Sequence, residues 1–331
     1  MNTNPISCKY CQLPSVIRFG KYKNTQYYFC KHCRRKFVLD TLPRMKTPTK
    51  IIASALGQYY GGMSLDAIQR QLQQDYNLSM SEVGIYKWVA RFSKQAIKEA
   101  KTFQPKVSDE WIADETVLRV GGRNVWFWDC IDKKTRFLLA SRLSNTRTTN
   151  DAEILMQQAY ERAGKAPRKI LTDKLAVYLD GIERVFGADT KHIQTSPFGS
   201  GEDDENTSIL ERFHGTLKDR TNIIRGFKSM TTAKLITDGW LVHYNFFKEH
   251  SALGDIPPAQ NMGISVPFRD WNDVLKPTQI QEIKFKPKPI TVEKDIKSKS
   301  YTKHRHIKTL KRSRKFSFPT VTMTGVSKSR V

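Results

Sequence analysis

The stretch WIADETVLRVGGRNVWFWDCIDKKTRFLLASRLS (residues 111–144) holds three apolar runs rich in β-branched and aromatic residues. The turn-forming segments GGR (121–123) and KKT (133–135) separate these runs, as expected between the strands of an antiparallel meander. Asp114 lies inside the first run, where a carboxylate is costly unless it is paired or bound to a metal. The stretch therefore predicts three strands of a sheet, with an acid in the first of them.

The five segments that follow alternate between helix and strand patterns. They are a helix at 150–164, a short buried strand at 167–173, a helix at 174–187, a strand at 191–196 and a helix at 208–220. Three hairpin-joined strands followed by such an alternation predict a mixed sheet with flanking helices. The order β-β-β-α-β-α-β-α is that of a ribonuclease-H-like fold, so we expect an α/β domain of this class over residues 106–255.

Two further acids occupy positions that matter in this fold. Asp173 ends the strand KILTD, and open α/β sheets place their sites at the carboxyl ends of strands. The first and fourth strands would be neighbours, which brings Asp114 and Asp173 together. Glu211 points away from the apolar stripe of its helix, SILERFHGTLKDR. Each acid also has an ordinary explanation: an edge-strand acid, a helix cap and a solvated charge.

Together, Asp114, Asp173 and Glu211 resemble the DDE triad of insertion-sequence transposases. The segment ERFHGTLKDR keeps the pattern E-x-x-H-x-x-x-K-x-R, which is similar to the third-acid helix of the insertion sequence 6 group. DET (114–116) and LTDK (171–174) are similar to the other two acid motifs of that group. The acidic loop 202–205 and the basic tail after residue 280 depart from the pattern, and the loop offers Asp203, Asp204 and Glu205 as rival third acids.

This resemblance implies DNA strand cleavage and strand transfer. Three carboxylates suit two Mg²⁺ (or Mn²⁺) ions, which activate the attacking oxygen and stabilise the leaving oxygen. Lys218 would hold a terminal phosphate, and His214 would orient a ligand or the nucleophile, although a helix-surface histidine is the alternative. The partners implied are double-stranded DNA, both element ends and target, and a second copy of the chain in a homodimer or larger homo-oligomer.

Four of the five cysteines lie within the first 33 residues. CKYC (8–11) and CKHC (30–33) give the spacing C-x2-C-x18-C-x2-C, which predicts one structural Zn²⁺ held by Cys8, Cys11, Cys30 and Cys33 in a zinc ribbon over residues 1–44. Two redox pairs or disulfides are the alternatives. Cys130 lies in an apolar run and is expected to be a small buried side chain.

Residues 45–105 predict three short helices with a basic third helix, as in a helix-turn-helix domain that reads DNA. Ser64 is expected to cap the second helix and Ser79, with Glu82, the third, whose buried side would include Val83. Another small helical domain or a dimerisation module would share this pattern. The residues expected to contact DNA are Arg34, Arg35, Lys36, Lys87, Arg91, Lys94 and Arg225.

The charge of the chain is concentrated at its ends. Of a net +24, residues 1–47 carry +9 and residues 281–331 carry +12. This distribution favours a polyanion bound by basic appendages, with 256–331 as a connector and basic arm, although solvated or disordered tails would look the same. Nothing resembles a signal peptide, and no apolar run approaches about 20 residues. We therefore expect a cytoplasmic, nucleoid-associated protein without a membrane partner.

Two other functions share these features. One is a non-catalytic DNA-binding regulator in which the ribonuclease-H-like domain only dimerises. The other is a nuclease of the same fold that cuts DNA without joining it. The three acids disfavour the regulator, and the predicted helix-turn-helix domain favours recognition of a defined DNA end.

Overall fold

The computed structural model of the protein describes residues 6–22, 25–195 and 208–276. The acidic loop 202–205 and the basic tail after residue 280 lie outside this description. In the described parts of the chain, no helix combines the length and the apolarity needed to cross a membrane.

The N-terminal segment is a small antiparallel sheet. Strands β1 (Val16–Tyr22), β2 (Thr25–Cys30) and β3 (Lys36–Phe37) pair in the order β1-β2-β3. Its core contains four buried side chains: Cys8, Tyr28, Cys30 and Phe37. A core of this size is too small to hold the segment together alone, so it needs a further constraint.

Three helices follow, as predicted: α1 (Thr49–Tyr60), α2 (Leu65–Tyr76) and α3 (Glu82–Ala100). Ser64 caps α2, and its side chain accepts a hydrogen bond from the backbone N–H of Ala67. The prediction of Ser79 as the cap of α3 is wrong, because Ser81 accepts the bond from the N–H of Gly84. Val83 is 63% exposed and not buried, because the inner face of α3 follows Ile85, Trp88, Val89 and Phe92.

The central sheet has five strands: β4 (Glu110–Val120), β5 (Arg123–Asp132), β6 (Leu138–Ser144), β7 (Lys169–Thr172) and β8 (Lys191–Gln194). Their order is β6-β5-β4-β7-β8. The first three strands form an antiparallel meander, and β7 and β8 run parallel to β4. This arrangement is the predicted ribonuclease-H-like one, with the first strand in the centre of the sheet.

Helices cover both faces of this sheet. They are α4 (Thr149–Ala163), α5 (Val177–Phe186), α6 (Ser208–Ile224) and α7 (Met230–Phe246), and a short α8 (Trp271–Val274) follows. Neighbouring residues of a strand point to opposite faces. On β4, Asp114 contacts His214 of α6, and Glu115 accepts a hydrogen bond from Tyr178 of α5. Helices α5 and α6 therefore lie on opposite sides of the sheet.

Helix α7 brings the N-terminal helices against the sheet. Its Asn245 exchanges two hydrogen bonds with the backbone of Leu138 on the edge strand β6, at 2.9 and 3.0 Å. On its other side, Gly239 lies against Tyr60 of α1 and Ser93 of α3, whose hydroxyl groups are 2.6 Å apart. Only a residue without a side chain allows the three helices to approach this closely.

Arg220 connects α6 to the N-terminal helices. The guanidinium of Arg220 lies 3.7 Å from the ring centroid of Tyr59 on α1. It also donates a hydrogen bond of 2.9 Å to the carbonyl of Met63, in the turn between α1 and α2. Arg220 is only 2% exposed, so it contributes to packing between helices and offers no charge to solvent.

Candidate functional site

Strand register brings Asp114 and Asp173 together. β7 pairs with β4 in parallel, with Ile112 opposite Leu171. Continuing that register by two residues places Asp173 beside Asp114, directly after β7 ends at Thr172. The two acids therefore meet because β4 continues past the end of its shorter neighbour. The predicted juxtaposition of the two acids is therefore present in the structure.

A third carboxylate joins them, and it belongs to Glu115. Asp114, Glu115 and Asp173 each offer an oxygen, and these oxygens lie within 4.8 Å of one another. Glu115 is not among the acids predicted for the site, although it is the middle residue of DET. Residue alternation along β4 directs it to the opposite face from Asp114, so a strand pattern gives no reason to expect it in the same cluster.

The environment of Asp114 disfavours a negative charge. Burial, and after it the Asp129 carboxylate opposite on β5, raises the pKa of Asp114 to about 7. The cross-strand pair of Asp114 and Asp129 thus holds two acids on one face of the sheet. A cation at this position would relieve the repulsion, since burial of like charges is costly without a counter-charge.

His214 is the group that partly neutralises this pair. Its Nε2–H donates to Asp129 Oδ2 over 2.7 Å, and its Nδ1 lies 3.7 Å from Asp114 Oδ2. Burial opposes charging of the ring, but the Asp129 and Asp114 carboxylates together outweigh it, so the pKa of His214 is raised. Asp129 is fully buried, and its Oδ1 has no hydrogen-bond partner within the described ranges. His214 is therefore a buried residue of the site and not a helix-surface histidine.

Glu115 is engaged on both oxygens. Arg147, in the loop before α4, directs its Nε and Nη2 to Glu115 Oε1, and Tyr178 donates to Oε2 over 2.7 Å. The same Nη2 lies 4.0 Å from Asp173 Oδ2. The Arg147 guanidinium also stacks 4.5 Å from the ring centroid of Trp126. Burial raises the pKa of Glu115, and Tyr178 and Arg147 oppose that change.

Glu211 and Lys218 lie on the helix that carries His214. Glu211 is exposed, and the cluster of Asp114, Glu115 and Asp173 does not include it. It precedes His214 by three residues, or about 4.5 Å along the helix axis, and so shares its side of α6. Lys218 follows His214 by four residues, and its charge opposes protonation of the His214 ring. The three motif residues therefore share one side of α6, and His214 is the one that contacts Asp114.

The four predicted cysteines form a second cluster at the N-terminus. All four Sγ atoms lie within 4.8 Å of one another. The separations Cys8–Cys33 and Cys11–Cys30 are both 3.6 Å. Thiolates at about 2.3 Å from a tetrahedral zinc are separated by about 3.8 Å, so the donor set and its spacing fit one Zn²⁺. Cys130 is buried in the central sheet, as expected.

The basic residues expected to contact DNA are exposed. On α3, this holds for Lys87, Arg91 and Lys94, and beside the cysteines for Arg34, Arg35 and Lys36. Arg225 is also exposed and follows the end of α6 with φ of 57°. Exposed side chains in these positions can reach a phosphate backbone. Lys36 and Arg35 also contact aromatic rings, at 3.8 Å from the ring centroid of Phe19 and 5.0 Å from that of Tyr10.

Several known proteins are similar to parts of this chain. An uncharacterized protein of Methanocaldococcus jannaschii is 30% identical over 131 residues, which are 39% of this chain and 56% of that protein, so the chain spans little more than half of its relative. The magnesium-bound catalytic core of HTLV-2 integrase matches 47% of this chain and 97% of its own length, at 15% identity and a TM-score of 0.36.

The catalytic core of BIV integrase matches 47% of this chain and 93% of its own length, at 18% identity and a TM-score of 0.35. TM-scores this low carry no argument about this chain. The family model of the DDE domain matches residues 108–250, from the start of the sheet to the end of α7. Residues 108–250 are therefore a DDE domain of the insertion-sequence transposase type, which confirms the resemblance found in the sequence.

Proposed function

We propose that the protein is a transposase that binds the ends of an insertion sequence and catalyses metal-dependent DNA strand cleavage and strand transfer. The observation that carries this proposal is the meeting of Asp114 and Asp173 at the end of β7 inside a DDE domain. The facing helix α6 adds Glu211, His214 and Lys218, which follow the family motif. The proposed localisation is the cytoplasm, in association with the nucleoid.

The acid site fits divalent cations by its chemistry. Oxygen ligands suit Mg²⁺ or Mn²⁺. Burial and the Asp129 carboxylate raise the pKa of Asp114, and a bound cation would favour its charged form. We infer that Asp114 and Asp173 hold the ions most directly and that Glu211 completes the second of two sites. When bound, the ions would supply charge stabilisation for in-line displacement at a phosphodiester. His214 would hold Asp114 in place, and Lys218 would contact a phosphate of the element end.

The remaining parts of the chain would position the DNA. In this proposal residues 1–44 form a zinc ribbon, 45–105 a helix-turn-helix domain, 106–255 the catalytic domain and 256–331 a connector with a basic arm. The exposed basic face of α3 would enter a groove of the DNA, and Arg34, Arg35 and Lys36 would contact its backbone. Two element ends must be held at once, which requires a homodimer or a larger homo-oligomer.

The decisive experiment offers a labelled DNA end with a free 3′-hydroxyl and a target plasmid to the purified protein in Mg²⁺. The DNA end is taken from the inverted repeats that flank the gene. Joined product is expected with the wild-type protein. Asp114→Asn and Asp173→Asn should abolish cleavage and joining, and both variants should still retard the DNA in a gel, because the acids do not form the proposed recognition surface.

The other outcomes identify the rival functions. Binding without cleavage in any divalent metal would indicate a non-catalytic regulator. Cleavage without joining would indicate a nuclease of the same fold. Cleavage that persists in Asp114→Asn would refute the assignment of the acid site. Glu211→Gln tests the third acid, and full activity in that variant would exclude Glu211 from the reaction.

A further inference from the structure

Arg147 occupies an unusual position beside the acid site. It lies outside the three acid motifs and outside the motif of α6, in the loop that precedes α4. Its guanidinium reaches across to Glu115 on β4 and lies 4.0 Å from Asp173. A cation is thus already placed beside Asp173, one of the carboxylates that the proposed function assigns to metal binding.

The guanidinium is held on one edge and on one face. Nε and Nη2 both donate to Glu115 Oε1, and the plane stacks on Trp126 at 4.5 Å. Within the described ranges, Nη1 makes no hydrogen bond to the protein. The side chain is 35% exposed, whereas that of Glu115 is 2% exposed. The edge of the guanidinium formed by Nη1 and Nη2 therefore faces solvent next to Asp173.

Glu115 is not free to act as a simple metal ligand. Arg147 takes Oε1 and Tyr178 takes Oε2, and a buried carboxylate with both oxygens bonded is stable without a further cation. To bind a metal ion, Glu115 would have to give up its hydrogen bonds from Arg147, and the incoming ion would have to lose water. Its proximity to Asp114 and Asp173 is explained by the arginine that it orients.

We propose that Arg147 is a phosphate-binding residue of the acid site, which contacts a phosphodiester oxygen of the DNA strand held there, and that Glu115 is its positioning residue. The ligand class is a phosphodiester, because a planar guanidinium with one edge fixed offers two parallel donors to a second anion. This proposal rests on the proposed function for the identity of the strand. It does not require that cleavage has occurred.

The first test measures binding to a fluorescein-labelled duplex of arbitrary sequence by anisotropy, in Ca²⁺ and without divalent metal, over a range of salt. Arg147→Ala is expected to weaken binding and to lower the slope of log affinity against log salt by about one. The matched control is Arg184→Ala, since Arg184 is a more exposed arginine on α5 that pairs with Glu153 over 3.1 Å. The control should keep the wild-type slope.

The second test separates charge from geometry during cleavage. Arg147→Lys keeps the charge and should keep the salt slope. An ammonium lacks the planar geometry that fixes one edge on Glu115 and directs the other to a phosphate, so kcat should fall while KM changes little. Glu115→Gln should lower kcat in the same way. It should leave the Mg²⁺ concentration for half-maximal rate unchanged, because Glu115 is not a ligand.

Several results would overturn the proposal. One is a salt slope in Arg147→Ala equal to that of Arg184→Ala. Another is faster cleavage at lower Mg²⁺ in Arg147→Ala, which would make Arg147 a competitor of the metal. A third is a raised Mg²⁺ requirement in Glu115→Gln. If Arg147→Ala does not fold, the kcat and the salt slope of Arg147→Lys test the proposal instead. If the wild-type protein binds the duplex but never cleaves, the proposed function fails, and the salt slopes still decide the role of Arg147.

Discussion

His214 on α6 and Asp129 on β5 form a buried pair, with 2.7 Å between Nε2 and Oδ2. The other ring nitrogen of His214 faces Asp114, so a chain of three side chains runs from the interior to the acid site. Asp129 touches neither Asp173 nor solvent in the described structure. Its effect on Asp114 is therefore exerted through the orientation of the histidine ring and through its charge.

The first prediction concerns this pair. Asp129→Asn keeps the size of the side chain but removes the charge that raises the pKa of His214, so that pKa should fall. With the ring less firmly oriented, kcat of cleavage should drop by about tenfold, which corresponds to about 1.4 kcal/mol. NMR titration of His214 and steady-state kinetics measure the two effects. Asp180→Asn, an exposed change on α5, is the control, and equal behaviour of the two variants would contradict the prediction.

The second prediction concerns the close approach of three helices at Gly239. A Cβ at this position would overlap the hydroxyl of Tyr60 and lie 3.0 Å from Cβ of Ser93. Gly239→Ala should therefore lower the free energy of unfolding by about 1–3 kcal/mol. Gly215→Ala, in the exposed part of α6 where a Cβ meets nothing within 4 Å, should raise it by up to about 1 kcal/mol. Chemical denaturation of both variants measures the contrast, and similar shifts would show that the helices can separate without cost.

The third prediction concerns metal removal from the cysteine cluster. The N-terminal sheet buries only four core side chains, two of them cysteines, so a chelator should unfold residues 6–44 and expose them to proteolysis. Cys30→Ser should lose bound zinc, measured by elemental analysis. Cys130→Ala should retain one equivalent, because Cys130 lies in the central sheet. Resistance of the chelated protein to proteolysis would show that this segment folds without metal.

The fourth prediction concerns acid stability. Burial, and after it the charge of Lys248, lowers the pKa of His243 to about 4 in the folded protein. The unfolded chain therefore binds the proton first as pH falls below about 6.5, and stability is lost progressively between about 6.5 and 4, by roughly 3 kcal/mol in total. His243→Phe, which keeps the stacking on Tyr60, should lessen this dependence. Urea unfolding at pH 7 and pH 5 measures it, and an equal difference in both proteins would contradict the assignment.

The sequence predicts the sheet and two of its acids because both follow from local patterns. Three β-prone runs and two alternating units define the topology, and the topology alone makes β4 and β7 neighbours. The ends of elements depend on finer contacts, which is why the cap of α3 is Ser81 and Val83 is exposed. The residue that caps a helix and the face that the helix buries depend on tertiary contacts. Local sequence patterns do not specify those contacts.

The sequence does not predict the partners of the acids, for a different reason. Asp129 and Arg147 lie 15 and 33 residues from Asp114 and belong to no shared motif. A signal for Asp129 did exist in the turn Gly121–Gly122, where both residues have positive φ. A two-residue turn pairs Val120 with Arg123 and, counting back along both strands, Asp114 with Asp129. No comparable pairing rule predicts the position of Arg147, because this residue lies in a loop and not in a strand.

The stacking of Arg220 on Tyr59 has a mechanical consequence. Arg220 ends the motif that begins with Glu211, so the helix bearing Glu211, His214 and Lys218 is fastened at its far end to α1. The placement of Glu211 relative to Asp114 and Asp173 therefore depends on how the N-terminal helices pack, as well as on the sheet that carries the two aspartates.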